Sequence, residues 1–152
     1  MHAPGHVGAA LLFYTPTAAF LMPVDPALAV VGFGVAAAVS TLPDVDQQLP
    51  VPHRGPTHTL WFVLAATVAA GLLTGVIAGS STAVAGIGLA VCLSLSSHLL
   101  ADSITPMGIR PFAPLSRRRY TADLTPAANR SANAALFAVG TAVAALSLIF
   151  RF

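Results

Sequence analysis

Residues 82–104 read TAVAGIGLAVCLSLSSHLLADSI, a mostly apolar run that closes on His98 and Asp102, four positions apart. A bilayer core takes roughly 20 apolar residues in helical form, so the run is long enough to cross. Four-residue spacing puts both side chains on one helical face about one turn apart, where they can serve one metal ion or two adjacent ions. Ionisable groups on such a helix are costly to keep unless they have partners or a function.

The rest of the chain is of the same kind. Of its 152 residues 56% are hydrophobic and only 8% charged, with a mean hydropathy of +0.81, too little polar surface to cover a soluble globule. Five stretches have the length of a span: about 6–23, 26–42, 59–79, 82–104 and 130–150. The first reads as a retained helix rather than a signal peptide, because no Lys or Arg precedes it. Pro16 interrupts it and is expected to kink it. Gly71, Gly75, Gly86, Gly88 and Gly140 are expected to let helices approach closely. Five prolines and glycines between 105 and 129 (Pro106, Gly108, Pro111, Pro114, Pro126) exclude a long regular element there. Cys92, alone in an apolar run, excludes a disulfide framework and a cysteine zinc site. The expected fold is all-α, a polytopic membrane bundle of about five transmembrane helices forming a single domain over residues 1–152.

If five helices alternate direction, the N-terminus, the connection between the second and third helices and the end of the fourth share one membrane face. The titratable residues obey that parity. His6 opens the first helix, Asp44 and Asp46 follow the second, His53 and His58 precede the third, and His98 and Asp102 end the fourth. Singly, each has an ordinary structural role: a hydrogen-bonded histidine, a capping aspartate, a His–carboxylate pair. Together these seven are candidate metal ligands, and a mixed His/Asp set points to zinc, with manganese or iron as alternatives. More than four ligands suggests two or three ions. Asp25 and Asp123 read as solvated loop charges.

Six of the seven arginines, Arg54, Arg110, Arg117, Arg118, Arg119 and Arg130, fall on the same face, which the positive-inside rule places in the cytoplasm of a multi-pass plasma membrane protein. Arg54, between two histidines, is the candidate for a bidentate phosphate contact, with Arg117 and Arg118 as further phosphate-binding residues. A basic loop beside a membrane meets lipid phosphate more readily than nucleic acid, which is not favoured as a partner.

The stretches Gly5-His6, Leu42-Pro43-Asp44-Val45-Asp46, His53-Arg54-Gly55-Pro56-Thr57-His58-Thr59 and His98 to Gly108 resemble the motifs of the YdjM family, described as LexA-regulated, membrane-bound, metal-dependent hydrolases. The resemblance covers residues 1 to about 120. That family is distantly similar to zinc-dependent phospholipase C and P1 nuclease, all-helical enzymes with a zinc cluster. The resemblance implies ligation by His6, Asp44 or Asp46, His58 or His53, and His98 with Asp102. Two departures stand out: Gln47 replaces a histidine common in the family, and the soluble enzymes add a processed N-terminal amine.

The expected function is metal-dependent hydrolysis of a phosphoester, with a phospholipid or lipid-linked phosphate as the substrate class. Asp44 or Asp46 would orient or deprotonate the attacking water, and Arg54 would hold phosphate. A phosphatidic-acid-type phosphatase needs a lysine and an intramembrane metalloprotease a glutamate; the chain contains neither. The serious rival is a metal-binding scaffold or transporter without turnover, although a transporter would place its polar residues near the bilayer midplane.

Overall fold

A computed structural model describes residues 1–151 as five α-helices: α1 (Ala3–Leu21), α2 (Pro26–Val39), α3 (Leu60–Ala78), α4 (Ser81–Ser103) and α5 (Arg130–Phe150). Two short 3-10 turns, Leu42–Gln48 and Pro56–His58, fill the connection between α2 and α3. No strand occurs among the described residues beyond one isolated antiparallel bridge, Ile109 to Tyr120. The all-helical expectation and the helix boundaries therefore agree with the structure.

Helix starts follow the local chemistry. Asp25, Thr59, Ser80 and Asn129 each accept a backbone N–H of the helix they precede, satisfying a donor that has no partner within the helix. Asp25 is thus the N-cap of α2, ahead of Pro26, and not merely a solvated loop charge. Gly79, with φ of 62°, ends α3 in the left-handed conformation that glycine adopts without strain.

Four helices are long and apolar enough to cross a bilayer: α2 continued to Gln48, α3, α4 and α5. The fifth, α1, is 19 residues long but is not among these four. It carries His6, Tyr14, Thr15 and Thr17, and it packs against α2, α4 and α5. Four of the five expected spans are therefore helices of that character, and α1 packs against three of them. Pro16 lies inside α1, which stays helical from Ala3 to Leu21.

Small residues set the spacing. A Cβ at Gly8 would sit 2.2 Å from the Leu136 carbonyl oxygen, and one at Gly140 would sit 2.2 Å from the Gly8 carbonyl oxygen, so α1 and α5 touch backbone to backbone. Gly86 faces Leu28 closely, as expected, whereas Gly71, Gly75 and Gly88 have only ordinary or distant contacts. Tyr14 and Phe33 meet edge to face at 5.0 Å in a core completed by Ala18, Ala29, Ala36 and Ala90. Outward faces carry Leu72, Val76, Ile77 and Ile149, suited to lipid.

Residues 105–129 fold back over the helix ends. Ala122 and Leu124 donate to the Ser103 and Ile104 carbonyls, and Leu60 donates to that of Pro111. This covering segment closes one end of the bundle, where the polar residues gather.

Candidate metal centre

The end of α4 supplies the floor of the centre. His98 and Asp102 lie one turn apart, and both are buried. His98 Nδ1 is 2.7 Å from the carbonyl oxygen of Ser40, at the end of α2. A carbonyl only accepts, so Nδ1 carries the proton and a neutral ring leaves its Nε2 lone pair free. That Nε2 points at Nε2 of His58, 3.2 Å away.

His58 is held from behind in the same manner. Its Nδ1 lies 3.0 Å from the Thr57 hydroxyl and 3.3 Å from Asp46 Oδ2, and the Thr57 hydroxyl donates to the same Asp46 oxygen at 2.9 Å. Asp46 also accepts from His53 Nδ1 at 2.8 Å and from the Arg54 backbone N–H at 2.9 Å. Both Asp46 oxygens are therefore engaged by protein donors. Arg54 needs a positive φ of 57° to present its N–H in this way.

Four atoms now converge: His58 Nε2, His98 Nε2, Asp102 Oδ2 and Asp44 Oδ1. His58 Nε2 stands 3.3 Å from Asp102 Oδ2 and 3.7 Å from Asp44 Oδ1, and His98 Nε2 stands 3.7 and 3.8 Å from the same two atoms. Tetrahedral zinc with N and O ligands at 2.0–2.1 Å has ligand-to-ligand edges of about 3.3 Å. The separations fit an ion of that size with slight contraction. Asp102 Oδ2 is buried without a hydrogen-bond partner, a costly state that a cation relieves.

His6 of α1 addresses the other oxygens of the same carboxylates. Its Nε2 lies 3.5 Å from Asp102 Oδ1 and 3.8 Å from Asp44 Oδ2, and 2.9 Å from the Met1 carbonyl. Its ring stacks on that of His98 with centroids 3.7 Å apart. The Met1 amino group contacts Asp102 Oδ1, and α5 fixes this segment through Asn133 Oδ1, which accepts from the His2 backbone N–H. Asp44 and Asp102 thus each turn one oxygen to His58 and His98 and the other to His6, and the Asp102 oxygen on that side also pairs with Arg54 and the Met1 amino group.

Charge is balanced from one side. Arg54 pairs with Asp102 at 3.0 Å and donates to the Thr105 hydroxyl and the Gly108 carbonyl. Burial alone would lower the pKa of His58, but the neighbouring carboxylates of Asp102, Asp44 and Asp46 outweigh it, and the net shift is upward from 6.5. Asp44 is the half-buried member of the set, its side chain 19% exposed against 1% for Asp102. It faces a cleft of about 730 Å³ lined also by Met1, Thr41, Gln47, His53 and Arg54.

All seven expected ligands come together, in two groups: Asp44, His58, His98 and Asp102, and Asp46, His53 and His58, with His6 alongside the first. His58, and not His53, stands among the convergent atoms. Gln47 lines the cleft. Arg117 and Arg118 lie exposed on the covering loop, Arg118 over the Tyr120 ring, away from the centre. Sequence reasoning missed Ser40, Thr57 and Thr105. A backbone acceptor such as the Ser40 carbonyl leaves no trace in the sequence, whereas Thr57, next to His58 and near the aspartates, had a signal in its position.

A family model described as YdjM inner membrane protein matches residues 1–152, the whole chain, and the chain belongs to that family. No curated protein and no solved structure matches it.

Proposed function

From that family membership and the buried His/Asp centre, we propose that the protein is a membrane-bound, metal-dependent hydrolase acting on a phosphoester at the bilayer surface. The observation that carries this reading is the convergence of Asp44, His58, His98 and Asp102 at the separations of a tetrahedral ion, with Asp44 open to a cleft. The donor set of Asp44, His58, His98 and Asp102 suits zinc best. A bound ion supplies an acidified water and polarises phosphoryl oxygen.

The protein's own residues do the rest. Asp44, the half-buried member of the set, is the one that water in the cleft reaches, and its carboxylate would orient that water. Asp46 and Thr57 hold His58 in the tautomer whose Nε2 faces the centre, and the Ser40 carbonyl does so for His98. Arg54 counters the charge of Asp102, so its guanidinium serves the centre as a fixed cation, and a phosphate contact through it is shared with that pairing. The motif face is assigned to the cytoplasm from its arginines.

The test is elemental analysis of detergent-purified protein together with phosphodiester and phospholipid hydrolysis, for the wild type, Asp44→Asn and His58→Ala. Bound divalent metal and turnover in the wild type are expected, with both sharply reduced in Asp44→Asn and in His58→Ala. Full metal occupancy in His58→Ala overturns the site. Metal binding with no hydrolysis of any phosphoester turns the reading to a scaffold or transporter.

A further inference from the structure

The bridge between Ile109 and Tyr120 does more than close the covering loop. The two residues exchange both backbone hydrogen bonds, at 3.0 and 2.9 Å, so they form a hydrogen-bonded antiparallel pair with side chains on one face. Arg110 follows Ile109 and Arg119 precedes Tyr120, so the bridge brings both arginines to the lining of one pocket. Like charges so placed repel unless an anion lies between them. Neither arginine has a carboxylate partner among the described residues, where the only arginine ion pair is that of Arg54 with Asp102.

Both arginines are exposed, and they share one recess. Together with His53, Arg54, Met107 and Gly108 they line a pocket of about 220 Å³. His53 and Arg54 also line the cleft that leads to Asp44, so the pocket and the metal centre share a wall. Gly108, with φ of 59°, makes the turn beside the bridge and accepts from Arg54 through its carbonyl; a Cβ there would meet the Tyr120 carbonyl. On the other face of the bridge, Ile109 and Tyr120 join Leu60, Leu99, Leu100 and Pro111 around an apolar groove that adjoins the pocket at Ile109. A cationic pocket that touches an apolar groove at the end of a membrane helix has the chemistry of a phospholipid headgroup and the start of its chain.

We infer that Arg110 and Arg119, closed in by His53 and Arg54, form the subsite that holds the phosphate of an anionic membrane phospholipid. This assignment rests on the hydrolase reading and names its substrate class. It replaces the expected pair Arg117 and Arg118, which lie outside the pocket. Guanidinium forks pair with two phosphate oxygens at once, and two of them lining one recess hold a phosphate more firmly than a single surface arginine.

Trp61, the only tryptophan in the chain, follows Leu60 of the groove and reports on bound lipid. The full chain is placed in phosphatidylcholine bilayers containing a small fraction of dibrominated phosphatidylglycerol, and its fluorescence quenching is compared with that by dibrominated phosphatidylcholine at the same fraction. Excess quenching by the anionic lipid is expected in the wild type and in Arg117→Gln/Arg118→Gln. It is expected to fall several-fold in Arg110→Gln/Arg119→Gln, with unchanged helicity by circular dichroism. An equal excess in all three proteins, or an equal loss in both double variants, overturns the subsite. Competition by inorganic phosphate without any lipid excess overturns the lipid as its source. Measurements in chelator separate the two readings: excess quenching without turnover in metal-loaded protein removes the hydrolase reading alone, and turnover without excess quenching removes this subsite alone.

Discussion

The Nε2 atoms of His58 and His98 face one another at 3.2 Å, although 40 positions separate the residues in the chain. Each ring is fixed from its far side, His98 by the Ser40 carbonyl and His58 by Thr57 and Asp46. Two imidazole lone pairs aimed at the same point repel. A proton or a cation between them removes the repulsion, and the flanking carboxylates of Asp44 and Asp102 favour the cation.

The outer partners of His58 are open to test without touching a ligand. Thr57→Val removes the hydroxyl that links His58 to Asp46, and Asp46→Asn removes the charge behind it. Each is expected to weaken metal affinity by about 10–100-fold, the usual effect of losing such a partner. Competition titration with a chromophoric chelator reads this directly. Unchanged affinity in both variants contradicts the orienting role of Asp46.

Metal uptake is expected to depend on pH with a definite sign. In the metal-free protein the carboxylates around His58 raise its pKa above 6.5 despite its burial, so near that pH the ring holds a proton that an ion must displace. Affinity should therefore rise about tenfold per pH unit through this range and level off only above the raised pKa. Calorimetric titration in buffers of different ionisation enthalpy reports the proton released. A plateau that begins below pH 6.5 contradicts the carboxylate-dominated environment.

Removing the Arg54 side chain should expose the imbalance it corrects. Its guanidinium is 7% exposed and pairs with an Asp102 that is 1% exposed. Breaking a buried pair of this kind costs about 3–5 kcal/mol. For Arg54→Met the loss should be larger in chelator than with metal present, since an ion also neutralises Asp102. Thermal unfolding in detergent under the two conditions measures the difference, and an equal loss in both counts against Asp102 as a ligand.

Gly8→Ala should weaken the contact between α1 and α5 by about 1–3 kcal/mol, because its Cβ would lie 2.2 Å from a backbone oxygen that no side-chain rotation moves away. Gly34→Ala is the control, with nothing within 4 Å of the added carbon. Alanine is the better helix former there, so stability should stay level or rise. A melting temperature that falls equally in both variants removes the special status of the contact.

Much of this architecture is legible in the chain. Long apolar runs bounded by Asp25, Thr59, Ser80 and Asn129 specify helices, since a backbone in lipid must satisfy its own hydrogen bonds and these side chains supply the missing acceptors at the ends. Parity then carries His6, Asp44, Asp46, His53, His58, His98 and Asp102 to one face. The character of α1 was harder to read. His6, Tyr14 and Thr15 are buried, and a run judged by length and composition alone does not reveal that α2, α4 and α5 pack against that side.

What the sequence by itself determined is the helical class, the helix ends and the gathering of His and Asp at one end of the bundle. These follow from local propensity, from the solvent that apolar runs require and from counting helices. Only the tertiary structure decided that His58 and not His53 joins the four convergent atoms, that both oxygens of Asp46 are engaged by protein donors, and that Arg110 and Arg119 rather than Arg117 and Arg118 face a pocket. Those outcomes depend on the positive φ of Arg54 and Gly108 and on the register of a single antiparallel bridge. Separations of an ångström between groups distant in the chain are fixed by packing and hydrogen bonding in three dimensions, and residue order alone does not encode them in readable form.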